Sequence, residues 1–447
     1  MFTGIYAGDD KIVQTTDGSR TAGEGSLIHL PLLLFVLAGQ ILPLYAIWMA
    51  MVLGSLALLI CRKEHFHFRS FPGLLFLAVI LFLGAAGGLA GLLNGTAAGW
   101  PVLRDMIIVS YFPFCWLFCC QFSDRLASDR KRFIYTLFVA CGIVCFLSSA
   151  EKSVALLIRH YSFNTVRHTG YFDEIIAAFG FVFAFLPPDE LKKRMTDGWS
   201  WLLKISILAA IALAMSRMIF LYIFCLSIPF LKRKNLGKIA GVLTAVAAAV
   251  ALLYFAAPDQ VGTFFSKILN SFKELSSSDR IWTGPEIVNN WRGYEIACAK
   301  ETFSAFSPLQ KIFGGGFGAV VDVHGYAYLV TPEANLPFLH NGYFTTLIKA
   351  GIVGIISMLL MFASQLKEAL RVRREYDKRL LTGLVLGLAV SSVVVSGMLW
   401  RVLNIMSVVL FAVLTEDTDK DACRIQTDRS TENEKERQSD PYLHRCG

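Results

Sequence analysis

Apolar runs of about 20 residues recur along this chain, and each is long enough to cross a hydrocarbon layer about 30 Å thick. Only 17% of the residues are charged and 55% are hydrophobic, whereas a soluble domain carries about 25% charge. In lipid every backbone N–H and C=O must be bonded internally, so only helices and closed barrels can span. The alternating pattern of a barrel strand is absent from these runs. The sequence therefore predicts an all-α integral membrane protein. The runs at 27–40, 41–61, 71–93, 101–120, 133–150, 171–187, 200–216, 218–231, 236–257, 339–365, 380–398 and 401–415 predict about twelve transmembrane helices. The first two share one apolar stretch, broken near Gly39 and Pro43, and 218–231 is short for a full crossing.

Basic residues fall on alternate connections. One set holds Arg62, Lys63 and Arg69; then Arg125, Arg130, Lys131 and Arg132; then Lys192, Lys193 and Arg194. It continues with Lys232, Arg233, Lys234 and Lys238, and with Lys367, Arg371, Arg373, Arg374, Lys378 and Arg379. The connections around 40, 94–99 and 398–400 hold none. The positive-inside rule puts the basic set in the cytoplasm, with both termini cytoplasmic and the loops 151–170 and 258–338 outside. The formal charge of +8 is then mostly an orientation signal, and no nucleic-acid partner is expected. The expected organisation is a cytoplasmic segment 1–26, helices one to nine over 27–257, and one large extracytoplasmic loop over 258–338. Helices ten to twelve follow over 339–415. The polar stretch 416–447 has few large apolar residues and is expected to be a disordered cytoplasmic tail. Residues 1–26 lack the form of a cleaved signal, so the first span is expected to be retained.

Six of the ten cysteines lie inside apolar runs, and the large loop has only Cys298. That excludes a disulfide framework in the loop, and no CxxC pair beside histidines suggests a zinc site. Ionisable residues at span ends form the more informative set. Arg104 and Asp105, Arg167, His168 and Asp173, Ser216-Arg217, His340 and Arg401 all fall near the outer face of this topology. Snorkelling to headgroups is the bland explanation for any one of them; as a set they could ring a polar site. Lys349 lies nine residues beyond His340, about 13 Å deeper at 1.5 Å per residue, and is expected to make an interhelical hydrogen bond.

Within the loop, Trp291-Arg292-Gly293-Tyr294-Glu295 opens a helical segment that runs to about Phe306, with Arg292 and Glu295 on one face. Ser307-Pro308 ends it. Gly314-Gly315-Gly316-Phe317-Gly318 could present N–H groups to phosphate, but it lacks the Lys-Ser/Thr of a phosphate loop. A tight structural turn is the favoured reading. The run from Gly84 to Gly91 is expected to permit close helix contact.

Arg167 to Asp173, Ser216-Arg217, Arg292, the glycines 314–318 and His340-Asn341-Gly342-Tyr343 with Gly351-Ile352-Val353-Gly354 resemble the O-antigen ligase and O-antigen polymerase family. The resemblance is strongest over about 160–365. It implies a bundle and glycosyltransferase of the GT-C type in a bacterial inner membrane, with its site facing the periplasm or exterior. Such enzymes serve surface polysaccharide and lipopolysaccharide biosynthesis. The implied donor is an undecaprenyl-pyrophosphate-linked glycan. The implied acceptor is another glycan, in a polymerase, or lipid A core, in a ligase. Membrane lipids surround the protein, and a chain-length regulator or flippase is a further candidate partner. No metal or other cofactor is implied. The family's functional residues map onto Arg217, Arg292 and His340, with Arg167, Asp173, Glu295, Asn341, Tyr343 and Arg401 expected to bind substrate.

The chemistry suits those residue types. Arginine offers a permanently charged planar fork to phosphate oxygens, and histidine titrates near neutrality and can accept a hydroxyl proton. Repeat-unit polymerase is the preferred expectation and ligase the alternative. A lipid-linked oligosaccharide transporter or flippase is the alternative of another class. Transporters usually show internal repeats and midplane sites, and neither is evident here.

Overall fold

The computed structural model describes residues 28–61, 69–159, 171–173, 175–214, 216–231, 282–324, 328, 334–395 and 401–416. Arg167, the expected span at 236–257, residues 1–26 and the tail beyond 416 lie outside the described residues. So do residues 258–281 and the side chain of Arg401. Among the described residues the chain is built of helices. These are α1 (Leu30–Ile41), α2 (Leu44–Cys61), α3 (Leu74–Leu93), α4 (Gly99–Ser128) and α5 (Arg130–Leu157). Next come α6 (Ile176–Phe185), α7 (Gly198–Ala214) and α8 (Arg217–Ser227). The shorter α9 (Gly284–Asn289), α10 (Trp291–Ala305) and α11 (Pro308–Phe313) precede α12 (Gly342–Arg371), α13 (Glu375–Val394) and α14 (Arg401–Leu414). Five of them, α2, α3, α4, α5 and α12, are long and apolar enough to cross a membrane. A helix stands at each expected span that falls within the described residues. One two-residue antiparallel pairing, β1 (Val321–Asp322) with β2 (Asn335–Leu336), departs from a purely helical fold.

The sequence boundaries differ from the structure where charge sits inside a helix. The basic connection expected between 120 and 133 is reduced to Asp129, because α4 runs on through Arg125 and α5 begins at Arg130. Asp129 caps α5, accepting the Arg132 N–H at 3.2 Å. The break between α1 and α2 falls at Leu42-Pro43, as expected where a proline has no N–H to continue a ladder.

The core lies around α5, which packs against α1, α6 and α7. Glycines set the closest approaches: Gly142 of α5 faces Leu203, and Gly180 of α6 faces Cys141. By contrast α2 and α3 leave Leu53, Ile60, Leu75, Phe82 and Leu93 exposed, as a lipid-facing wall would. Among the described residues, ionic clasps tie elements distant in sequence. Arg130 grips Asp377 with two bonds, Nε to Oδ2 at 2.8 Å and Nη2 to Oδ1 at 2.5 Å, and meets Glu190 at 2.6 Å. Arg69 holds Glu416, the first residue of the expected tail, at 2.8 Å, and also bonds Thr415 and the Ala412 carbonyl.

Arg130 and Asp377 are both buried, whereas Glu190 is 54% exposed. Removing one partner of a buried pair strands the other charge at a cost of about 3–5 kcal/mol, while an exposed partner contributes about 0–1 kcal/mol. Asp377→Ala is therefore expected to lower the unfolding temperature in detergent strongly, and Glu190→Ala to leave it almost unchanged.

Candidate active site

The described part of the expected large loop packs as a thin layer on the start of α12. Ile287, Tyr294, Cys298, Val321, Val323, Leu336, Leu339 and Ile348 form one small apolar core. Thr283 and Glu286 start α9 with a reciprocal cap, the Thr283 N–H reaching Glu286 Oε2 at 3.0 Å. Ser307 and Gln310 do the same for α11. Tyr294 donates its hydroxyl to the Val323 carbonyl at 2.9 Å and is buried. It presents no ring face for stacking on a sugar. Burial pushes the Cys298 thiol up to about 11, so it stays protonated and is a poor nucleophile.

Helix α10 sets Arg292 and Glu295 one turn apart. Arg292 is half-buried. Glu295 is buried, and its carboxylate takes the His340 ring Nδ1 at 2.9 and 3.0 Å and the His340 backbone N–H at 3.1 Å. A carboxylate only accepts, so Nδ1 is the ring atom that donates to Glu295. The His340 side chain is 48% exposed. A buried acid thus orients an accessible imidazole. The spacing of Arg292 and Glu295 was legible in sequence; the pairing of Glu295 with His340, across 45 residues, was not.

The residues after His340 anchor it. Asn341 caps α12 by accepting the Phe344 N–H at 3.0 Å and donates Nδ2 to the Val393 carbonyl at 2.8 Å. Tyr343 donates to the Ala389 carbonyl at 3.0 Å, and the Gly342 N–H to the Val395 carbonyl at 3.1 Å. The Asn341 and Tyr343 side chains, expected to bind substrate, are held against the last two turns of α13. Asp173 lies just before α6, where its N–H meets Gln40 at 3.0 Å. Arg401 opens α14.

Arg217 is the first residue of α8 and is half-buried. Helix α8 lies antiparallel along α13: Gly383 abuts Leu226, Gly387 abuts Tyr222, and Tyr222 bonds Ser391 at 3.1 Å. Five residues from Tyr222 to Arg217 span about 7–8 Å. That rise carries Arg217 to the level where α13 ends and where Asn341 and Gly342 dock. Arg217, Arg292 and His340 come from three elements at one end of the bundle.

The glycine run is structural. Its five N–H groups are all used: Gly314 to the Gln310 carbonyl at 2.7 Å, Gly315 to the Ile348 carbonyl at 2.8 Å, Gly316 to the Lys349 carbonyl at 3.0 Å, Phe317 to the Gly84 carbonyl at 2.7 Å, and Gly318 to the Asp105 carboxylate at 2.7 Å. The turn inserts between α3 and α12. Gly351, at φ 67° and ψ −163°, interrupts the α12 ladder and frees the carbonyls it uses. The Gly84–Gly91 run was expected to admit a helix; Gly84, Gly87 and Gly88 admit this turn instead, and a Cβ on Gly87 would lie 2.7 Å from the Gly316 Cα. Lys349 reaches Asp105 of α4, so the expected interhelical bond is a buried ion pair. Lys349 also donates to the Ala319 carbonyl at 3.1 Å.

Asp105 serves two cations, since Arg104 reaches its other oxygen at 3.1 Å. Asp105→Asn strands both, and Lys349→Met leaves Arg104 in place. We expect Asp105→Asn to destabilise by about 3–5 kcal/mol and Lys349→Met by less, read as unfolding of the detergent-solubilised protein.

Residues 202–359 match the family profile described as O-antigen ligase. No curated protein matches the chain. The matched stretch contains Arg217, Arg292, Glu295, His340, the glycine turn and the break in α12. With the helices long and apolar enough to cross a membrane, that match supports an assignment to the O-antigen ligase/polymerase family of surface polysaccharide synthesis.

Proposed function

We propose that this protein is a metal-independent, inverting glycosyltransferase that draws on a polyprenyl-pyrophosphate-linked glycan and acts as a repeat-unit polymerase. The observation that carries the reading is the Glu295–His340 pair, a buried carboxylate bonded to Nδ1 of a half-exposed imidazole. His340 Nε2 takes the proton of an acceptor hydroxyl as its oxygen attacks the anomeric carbon. The bond from that carbon to the pyrophosphate oxygen breaks, and its electron pair leaves with the pyrophosphate. One displacement gives one inversion. Arg217 and Arg292 neutralise the charge that grows on the leaving group, a task for which preorganised guanidinium groups suit. Glu295 holds the ring and stabilises the imidazolium that forms, so its role is to position His340 and it need not touch sugar. The active site faces the exterior, with both termini cytoplasmic, in the topology that the basic connections favour.

The ligase reading differs only in the acceptor, lipid A core instead of a second glycan, and the family match fits both. Deletion of the gene separates the two: single repeat units left on the core identify a lost polymerase, and full chains left on the lipid carrier a lost ligase.

In a reconstituted transfer assay His340→Ala is expected to lower kcat by about 10²–10⁴-fold, and Glu295→Gln by a smaller factor with the protein still folded. Arg217→Ala and Arg292→Ala should each lose most turnover. Normal turnover in the His340 and arginine variants would sink the site. Turnover is expected to persist in chelator, and its loss there would overturn the metal-independent mechanism.

A further inference from the structure

The cluster around Asp105 holds more positive than negative charge. Asp105 is fully buried and brings one carboxylate; Lys349 and Arg104 bring two cations. Lys349 is buried, and Asp105, the Ala319 carbonyl and the Phe338 ring, 4.7 Å away, satisfy it. Arg104 is different. Its Nε and Nη2 lie 3.2 and 3.1 Å from the Asp105 Oδ1, its guanidinium carbon lies 5.8 Å from the Phe338 ring centroid, and its side chain is 22% exposed. Among the described residues its Nη1 has no hydrogen bond.

An arginine that snorkels extends away from the core toward water. This one folds back on a carboxylate already matched by Lys349, and against a ring two residues before His340. Arginine does not shed its proton, so the charge of Arg104 is permanent. A fixed guanidinium with one edge engaged and one free is a ready partner for a phosphate oxygen. We infer that Arg104 binds a phosphate oxygen of a diphosphate lipid on the Phe338 side of the His340 site, with Asp105 and Lys349 fixing the orientation of its fork. The inference rests on the donor reading above and adds to it a residue for the departing pyrophosphate. Phosphate oxygens also occur on bilayer phospholipids, so the experiment must separate the two sources.

The full-length protein in detergent is titrated with polyprenyl pyrophosphate and, separately, with phosphatidylglycerol, and bound lipid is counted by native mass spectrometry. Arg104→Gln is expected to weaken polyprenyl pyrophosphate binding about tenfold or more, the loss of one charge-assisted hydrogen bond, and to leave phosphatidylglycerol binding unchanged. Arg104→Lys keeps a cation beside Asp105 but loses the fork; it guards against a folding defect and should still weaken binding about threefold or more. In the transfer assay Arg104→Gln should raise the KM for donor far more than it lowers kcat, the opposite of the split expected for His340→Ala. Wild-type affinity for polyprenyl pyrophosphate in both variants would overturn the inference alone. Equal losses for both lipids would overturn it too, making Arg104 a headgroup anchor. A wild-type protein that binds no polyprenyl pyrophosphate would overturn the donor reading and this inference with it.

Discussion

A carboxylate with no access to solvent holds together the end of the bundle where the candidate site lies. Asp105 receives Lys349, Arg104 and the Gly318 N–H. A charge buried in this way is tolerated only when partners replace its water. Here those partners come from α4 itself, from α12 and from the glycine turn, so one residue fixes three segments relative to each other.

The turn in turn depends on a defect in α12. A continuous helix would consume the carbonyls of Ile348 and Lys349, and the turn's N–H groups would face an apolar environment unpaired, at a cost of several kcal/mol each. The non-helical Gly351 releases those carbonyls, and Gly84 supplies a third. Glycines on both sides let backbone meet backbone: Gly316 against Gly87, and Gly314 against Lys349. Irregular chain can lie at this depth because protein encloses it.

That arrangement sets the start of α12 and so bears on His340. The segment Phe338–Gly342 is held on one side by Lys349 and Arg104 at the Phe338 ring, and on the other by Asn341 and Gly342 on α13. Glu295 reaches the imidazole from α10, across the apolar layer that the loop forms. The large loop thus contributes a packed layer that carries the carboxylate, which is more than the polar lid its composition suggests.

The apolar runs determined the helical membrane fold without help from tertiary structure, because a span must be long, apolar and internally bonded whatever its neighbours. Local signals did equally well: the Trp291–Ala305 helix, its stop at Ser307-Pro308 and the α1–α2 break at Pro43 follow from short-range bonding alone. The ionisable residues at span ends also marked Arg217 and His340 as candidates, and the family resemblance added Arg292 from the loop. Tertiary structure decided what each charge meets. It made Glu295 the partner of His340, placed Lys349 on Asp105, and turned two glycine runs into one interlocked contact. Those pairings join residues from 45 to 244 positions apart, and no periodicity or spacing in a single sequence records which buried donor will find which acceptor. Only the packed bundle, by removing water from both, forces the choice.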